Sequence, residues 1–170
     1  SESLGSFRNG LHTGRAGKMG TLSFNGNKVV TTGGGGAIIT DDEQLAKRAR
    51  KLTTTARKIH PWLYEHDELG FNYRLPNLNA ALGVAQMEQL PYYIKSKRKL
   101  AKEYQKWCEE KGVEMFMEPP DTCSNYWLNA LLLSGRDERD NFLEYTNKNG
   151  IMTRPVWTLM TDLPMYSHHI

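Results

Sequence analysis

The apolar positions fall in short blocks with changing periods. Leu22 and Phe24 alternate with polar neighbours in "TLSF" (Thr21–Phe24), a short strand candidate. "KVVTT" (Lys28–Thr32) and "AIIT" (Ala37–Thr40) are dominated by β-branched residues and predict two more strands. Four consecutive glycines, Gly33–Gly36, separate these two and predict a tight hairpin turn. The period then lengthens to that of a helix, with Leu45, Ala49 and Leu52 on one face. Thr40-Asp41-Asp42-Glu43 reads as a capping box at its start, and Lys47, Arg48, Arg50 and Lys51 suit the negative end of its dipole.

Residues 53–76 show no period but carry Trp62, Tyr64, Phe71 and Tyr73, and a connection of that length is usually functional. "NLNAALGVAQMEQL" (Asn77–Leu90) predicts a second helix with Asn77 as N-cap, and its small residues Ala80, Ala81, Gly83 and Ala85 allow close backbone approach. Pro91 predicts the first turn of a third helix, to about Lys111, with Ile94, Ala101, Tyr104, Trp107 and Cys108 as its stripe and Gly112 as a left-handed cap. Beyond Gly112, "VEMF", "YWLNALLL" and "IMTRPVW" read as strands, and "RDERDNFLEYTNKN" as a helix closed by Gly150. The first twenty residues, with five glycines, read as loop. The boundary between a first unit, 1–95, and a small α+β unit, 96–170, falls inside the third helix.

Composition narrows the function classes. In 170 residues, 39% hydrophobic and 24% charged content is that of a globular domain, and a net charge of +3 demands neither nucleic acid nor an anionic membrane. No apolar run nears the ~18 residues of a spanning helix, so no membrane partner is expected. Cys108 and Cys123 form no C-x-x-C pair, which suits a reducing cytoplasm. His12, His60, His66, His168 and His169 make no H-x-x-x-H or H-E-x-x-H pair, so no metal is expected, and His168-His169 reads as exposed tail. The basic run Lys95–Lys106 reads as a solvated helix face rather than a nucleic-acid stripe. Glu65, Asp67 and Glu68 share a loop and do not make a case for a catalytic carboxylate pair.

Lys28 stands apart. It follows the apolar strand Leu22–Phe24 and the turn Asn25-Gly26-Asn27. A lysine held between strands is partly desolvated, and desolvation frees the amine as a nucleophile able to form a Schiff base with an aldehyde cofactor.

At "SFNGNK" the chain resembles the DegT/DnrJ/EryC1 sugar aminotransferases, pyridoxal-phosphate enzymes of fold type I. Ser23, Phe24 and Lys28 fill that family's SF-x-x-x-K signature. The resemblance implies that Ser23 contacts the phosphate of pyridoxal 5'-phosphate and that Lys28 is the Schiff-base lysine. "GFNYRLPNLNAALG" is similar to the family's G-x-N-x-R-M stretch, with Leu75 in place of methionine. It implies that Asn72 reaches the cofactor phosphate of a neighbouring subunit in a homodimer, with the small-residue helix at the subunit junction. "SESLG" is similar to the end of D-x-A-[EQ]-x-x-G, which puts Glu2 near the cofactor's phenolic oxygen and the family's aspartate before Ser1.

The implied fold is α/β: the C-terminal part of a fold type I large domain, then a small C-terminal α+β domain incomplete at its end. The implied activity is transfer of an amino group from glutamate to C4 of a nucleotide-diphosphate 4-keto-6-deoxy sugar, for surface polysaccharide. Trp157 and Thr161 depart from the family's pattern and loosen the assignment of the sugar. Related dehydratases carry histidine at the Lys28 position, so lysine favours amino transfer. An inactive fragment, or a non-catalytic dimerisation module, is the alternative expectation.

Overall fold

The computed structural model describes residues 2–166, so His168 and His169 lie outside the described residues. Among the described residues, seven short strands and three α-helices run in the order β1 (Phe7–Arg8), β2 (Leu11–His12), β3 (Gly20–Ser23), β4 (Gly36–Ile39), α1 (Glu43–Thr53), α2 (Asn77–Lys111), β5 (Glu114–Met115), β6 (Thr122–Cys123), β7 (Leu131–Leu132) and α3 (Arg136–Lys148). The strands form three small antiparallel sheets, β2-β1-β6, β3-β4 and β5-β7. The fold is mixed α/β.

Helix α2 is the spine, 35 residues long and so roughly 50 Å. It replaces the two helices expected from Pro91. That proline sits inside the helix and has no N–H for the Met87 carbonyl. "QMEQL" before it contains no glycine, cap or turn residue, so nothing stops the helix there. Pro76, not Asn77, is the N-cap, and it offers no side-chain bond. At the other end Gly112 has φ 68°, the left-handed cap its position predicted.

The core lies under the second half of α2. Ala101 and Cys108 are buried with Met115 and Tyr126, while Tyr104 and Trp107 of the expected stripe stay half-exposed. Burial pushes the Cys108 thiol up. The basic run on this helix divides: Lys99 and Lys106 are solvated, but Arg98 turns inward to Glu118.

The predicted glycine hairpin is not formed. β4 pairs with β3 instead, in the register Ser23↔Gly36 and Gly20↔Ile39, and residues 24–35 make a loop between them. Val30 and Thr32 are each 1% exposed, so the β-branched residues of "KVVTT" are buried by packing and not by a strand ladder. The glycines answer to backbone geometry. A Cβ on Gly36 would clash with the Leu22 carbonyl oxygen across the ladder, and Gly35, at φ +95°, lies under Leu75.

The cap of α1 is Asp42, whose Oδ1 accepts from the amides of Gln44 and Leu45 at 2.8 and 3.0 Å. Thr40 instead donates to the Lys18 carbonyl. Residues 54–76 return along α1 through the isolated bridges Thr54↔Asn72 and Arg57↔His66. Ion pairs fix that return: Arg48 with Glu68, and Lys51 with Asp67 and Glu68 at 2.8 and 3.0 Å. The hydrogen bonds from Arg48 and then Lys51 hold the Glu68 carboxyl at about 2.

That carboxyl lies below its ordinary value of 4.5, so its contribution is present above pH 4.5 and lost as the pH falls towards 2. Acidification through this window should lower the protection of the Phe71 and Tyr73 amides, which bond to the Leu52 and Thr53 carbonyls, when their exchange is measured against the intrinsic rate at each pH. Glu68→Gln should show that lowered protection already at neutral pH. Equal exchange in both proteins at pH 7 would remove the ion pairs as the tether.

Candidate active site around Lys28

The loop 24–35 is closed at its neck by the Phe24 amide, which donates to Gly35 O at 3.0 Å. Within it, Asn25-Gly26-Asn27 turns the chain, with the Lys28 amide donating back to Asn25 O at 3.1 Å. The descending limb docks on the first half of α2. Asn79 Nδ2 donates to Thr32 O at 2.5 Å, and Gln86 Oε1 accepts from the Thr31 amide at 3.4 Å. Gly83 meets the same limb: a Cβ there would lie 2.9 Å from the Thr32 methyl. The small-residue face thus has a partner within the chain, in addition to any role at a subunit junction.

Lys28 is held by this turn and not between two strands. Its side chain is 13% exposed, with Nζ 2.5 Å from Glu2 Oε1 and 4.0 Å above the centre of the Trp127 ring. A carboxylate and an indole face from two distant parts of the chain therefore meet one ammonium. Ser23 closes β3 at the base of the loop, where its Oγ accepts from the Asn25 amide at 3.4 Å.

Two residues that the sequence pattern left unmarked build this site. Asn125, 4% exposed, donates from Nδ2 to the carbonyls of Glu2 and Leu4 at 2.7 and 2.9 Å. Its Oδ1 accepts from the Trp127 amide at 2.9 Å. One side chain thus fixes both the segment bearing Glu2 and the backbone bearing Trp127. The pairing of β1 with β6, Phe7↔Cys123 and Arg8↔Thr122, continues the attachment. Trp127 in turn donates from Nε1 to Asn27 O at 2.6 Å and stacks on Trp157 at 6.1 Å and 7°. The strand predicted over "YWLNALLL" shrinks to Leu131–Leu132, and "IMTRPVW" forms no strand. The signal for the site was present only as an isolated tryptophan in the first of these stretches and an asparagine just before it.

The segment 122–127 is braced from α2. Arg98 donates to both Glu118 oxygens, at 2.8 and 2.7 Å, and to Ser124 O at 2.6 Å. The Arg98 hydrogen bond holds the Glu118 carboxyl below the usual carboxylate range. Of the expected site residues, Lys28 and Glu2 come into contact, and Ser23 stands at the foot of the same loop. Asn72 belongs to the 54–76 return, where it is exposed and its Oδ1 accepts from Arg74 Nε at 3.1 Å. Among the described residues, no group of three or more His, Cys, Asp or Glu is placed to hold a metal ion. No helix among them is long and apolar enough to cross a membrane.

The donor set fits a pyridoxal phosphate group in kind. It offers an enclosed lysine amine for an aldehyde, a hydroxyl at the end of a strand for a phosphate, and a carboxylate in contact with the amine.

The sequence model described as the DegT/DnrJ/EryC1/StrS aminotransferase family matches residues 1–170. GDP-perosamine synthase of Escherichia coli O157:H7 is 36% identical over 98% of this chain and 45% of its own length. GDP-perosamine synthase of Vibrio cholerae is 33% identical over 98% of this chain and 46% of its own. Helicobacter pylori PseC, described as an aminotransferase involved in the biosynthesis of pseudoaminic acid, has the same fold. It superposes with a TM-score of 0.91 at 22% identity, over 99% of this chain and 46% of that one. The chain thus spans about half the length of the relatives it matches.

Replacing Asn125 with Ala strips two part-buried carbonyls and one amide of their partner. The expected loss is about 1–3 kcal/mol in chemical denaturation, with faster amide exchange near Glu2 to Ser6. An unchanged midpoint and unchanged exchange would remove Asn125 as the anchor.

Proposed function

Because the chain belongs to the DegT/DnrJ/EryC1/StrS aminotransferase family, we propose that the protein is a pyridoxal-phosphate-dependent sugar aminotransferase with Lys28 as its Schiff-base residue. The observation that carries this is the enclosed Lys28 amine, 2.5 Å from Glu2 in a loop that begins at Ser23. The acceptor is a 4-keto-6-deoxy sugar linked to a nucleoside diphosphate, aminated at C4 with glutamate as donor, in cytoplasmic synthesis of surface polysaccharide. Relatives named as GDP-perosamine synthases support a nucleotide-linked sugar as the substrate class.

When bound, the cofactor supplies an aldehyde and an electron sink. Lys28 would hold it through Nζ, Ser23 would receive its phosphate, and Asn72 would serve the phosphate of a neighbouring protomer. Lys28 Nζ acts as a nucleophile only as the free amine, and Glu2 Oε1 is the acceptor that fixes its direction. The same Nζ would be the group placed to take up and return a proton. The indole of Trp127 covers one side of the amine and limits water there.

A second reading has its own observation. The chain exposes 13245 Å² for a mass of 19.4 kDa, where a folded monomer of that size exposes about 8,500 Å². Leu78, Val84, Ile59 and Leu69 are each more than half exposed. A surface of that kind supports a larger assembly, the homodimer expected of the family, and is equally at home in a non-catalytic dimerisation module. The division into a cofactor-binding part, 1–95, and a small C-terminal part, 96–170, stands as part of the proposal.

Addition of pyridoxal phosphate should raise an absorption band at about 420 nm, and borohydride should fix the cofactor on Lys28 in the peptide map. Lys28→Ala should abolish both, and Ser23→Ala should weaken cofactor retention by about tenfold, the scale of a lost hydrogen bond to a charged group. No band, with no modified Lys28, would favour the non-catalytic module.

A further inference from the structure

Lys28 lies on the side of a loop whose tip, Asn25–Asn27, is exposed. Nothing in the local backbone prevents its four-carbon side chain from swinging into solvent. Besides the Glu2 carboxylate, what holds it comes from Trp127, in the last third of the chain. The Trp127 ring lies 4.0 Å from Nζ, and the same indole donates from Nε1 to the carbonyl of Asn27, the residue before Lys28. One side chain therefore grips both the backbone that aims the lysine and the cation at its end.

The indole is itself fixed on three sides. Its backbone amide donates to Asn125 Oδ1, its carbonyl accepts from Lys97 Nζ at 3.5 Å, and its ring stacks on Trp157. Asn125 is the residue that also fixes the Glu2 segment. The indole face and the carboxylate are thus set relative to each other before the lysine meets either.

We infer that Trp127 is a positioning residue for Lys28. Its ring face and indole N–H keep the amine turned towards Glu2, so that access of a carbonyl compound to Nζ is controlled by residue 127. The purpose of this arrangement rests on the reading of Lys28 as the Schiff-base lysine. The positioning itself is a property of the chain and can be tested apart from it.

The test is reductive methylation of the full chain with formaldehyde and cyanoborohydride, with each lysine quantified by peptide mapping. Lys99 and Lys106, whose side chains are 80% exposed, are the internal references. In Trp127→Leu, the initial rate at Lys28 relative to these references should rise about fivefold, the scale of a partly desolvated cation–π contact. Trp127→Phe keeps a ring face and should return the rate to within about twofold of the parent. Trp127→Met fills the volume without a ring and replaces the leucine variant if that variant loses its fold, seen as all lysines changing together.

An unchanged relative rate in both ring-less variants would overturn the inference. So would a rate in Trp127→Phe as high as in Trp127→Met. Because the reagent is formaldehyde, the result does not depend on pyridoxal phosphate. A protein that shows the fivefold change yet never fixes that cofactor on Lys28 would retain the positioning role and lose the aminotransferase reading.

Discussion

The buried amide of Asn125 joins the start of the chain to its last third. It holds the carbonyls of Glu2 and Leu4 with one end and the amide of Trp127 with the other. A carboxamide can do this because it offers two donors and an acceptor on one short, rigid group. The Glu2–Lys28 pair depends on it. Glu2 is half-exposed, and an exposed carboxylate on an untethered segment gains little from pairing with a lysine. With the segment anchored, the pair forms between groups already in place.

Helix α2 supplies the frame in which this happens. Its first half receives the Lys28 loop through Asn79, Gly83 and Gln86, and its second half carries the Arg98 brace and the core around Cys108. The long helix has few buried residues of its own, and those are near its C-terminal half. Much of the apolar surface on α1, on residues 54–76 and on the first half of α2 stays open in the single chain. The family's relatives are about twice as long. The exposed surface and the relatives' length both support the larger assembly proposed above.

Local signals read truly where the deciding interaction was local. Gly112 as a left-handed cap needs only its own backbone freedom, and α3 ends before Gly150 at φ 77° for the same reason. The start of α1 was legible to within two residues, with Asp42 taking the capping role assigned to Thr40 because the Thr40 hydroxyl is committed to Lys18. The motif SF-x-x-x-K brought out Ser23 and Lys28, and "SESLG" brought out Glu2. These came from resemblance, and the packing that makes Lys28 distinctive was not visible in them.

Elsewhere the sequence and the tertiary structure parted. By itself the sequence determined the family, the mixed α/β character, the helical stretches and the lysine to watch. Only the folded chain decided that "KVVTT" is a buried limb rather than a strand, since α2 offered its β-branched side chains a better place than a ladder. Only there does a helix run on through Pro91, because both halves are held by contacts with distant segments. Trp127 and Asn125 came to the site from a hundred and more residues away. No periodicity or spacing can show such a meeting, because it is set by the strand pairing and side-chain packing that bring the two stretches together.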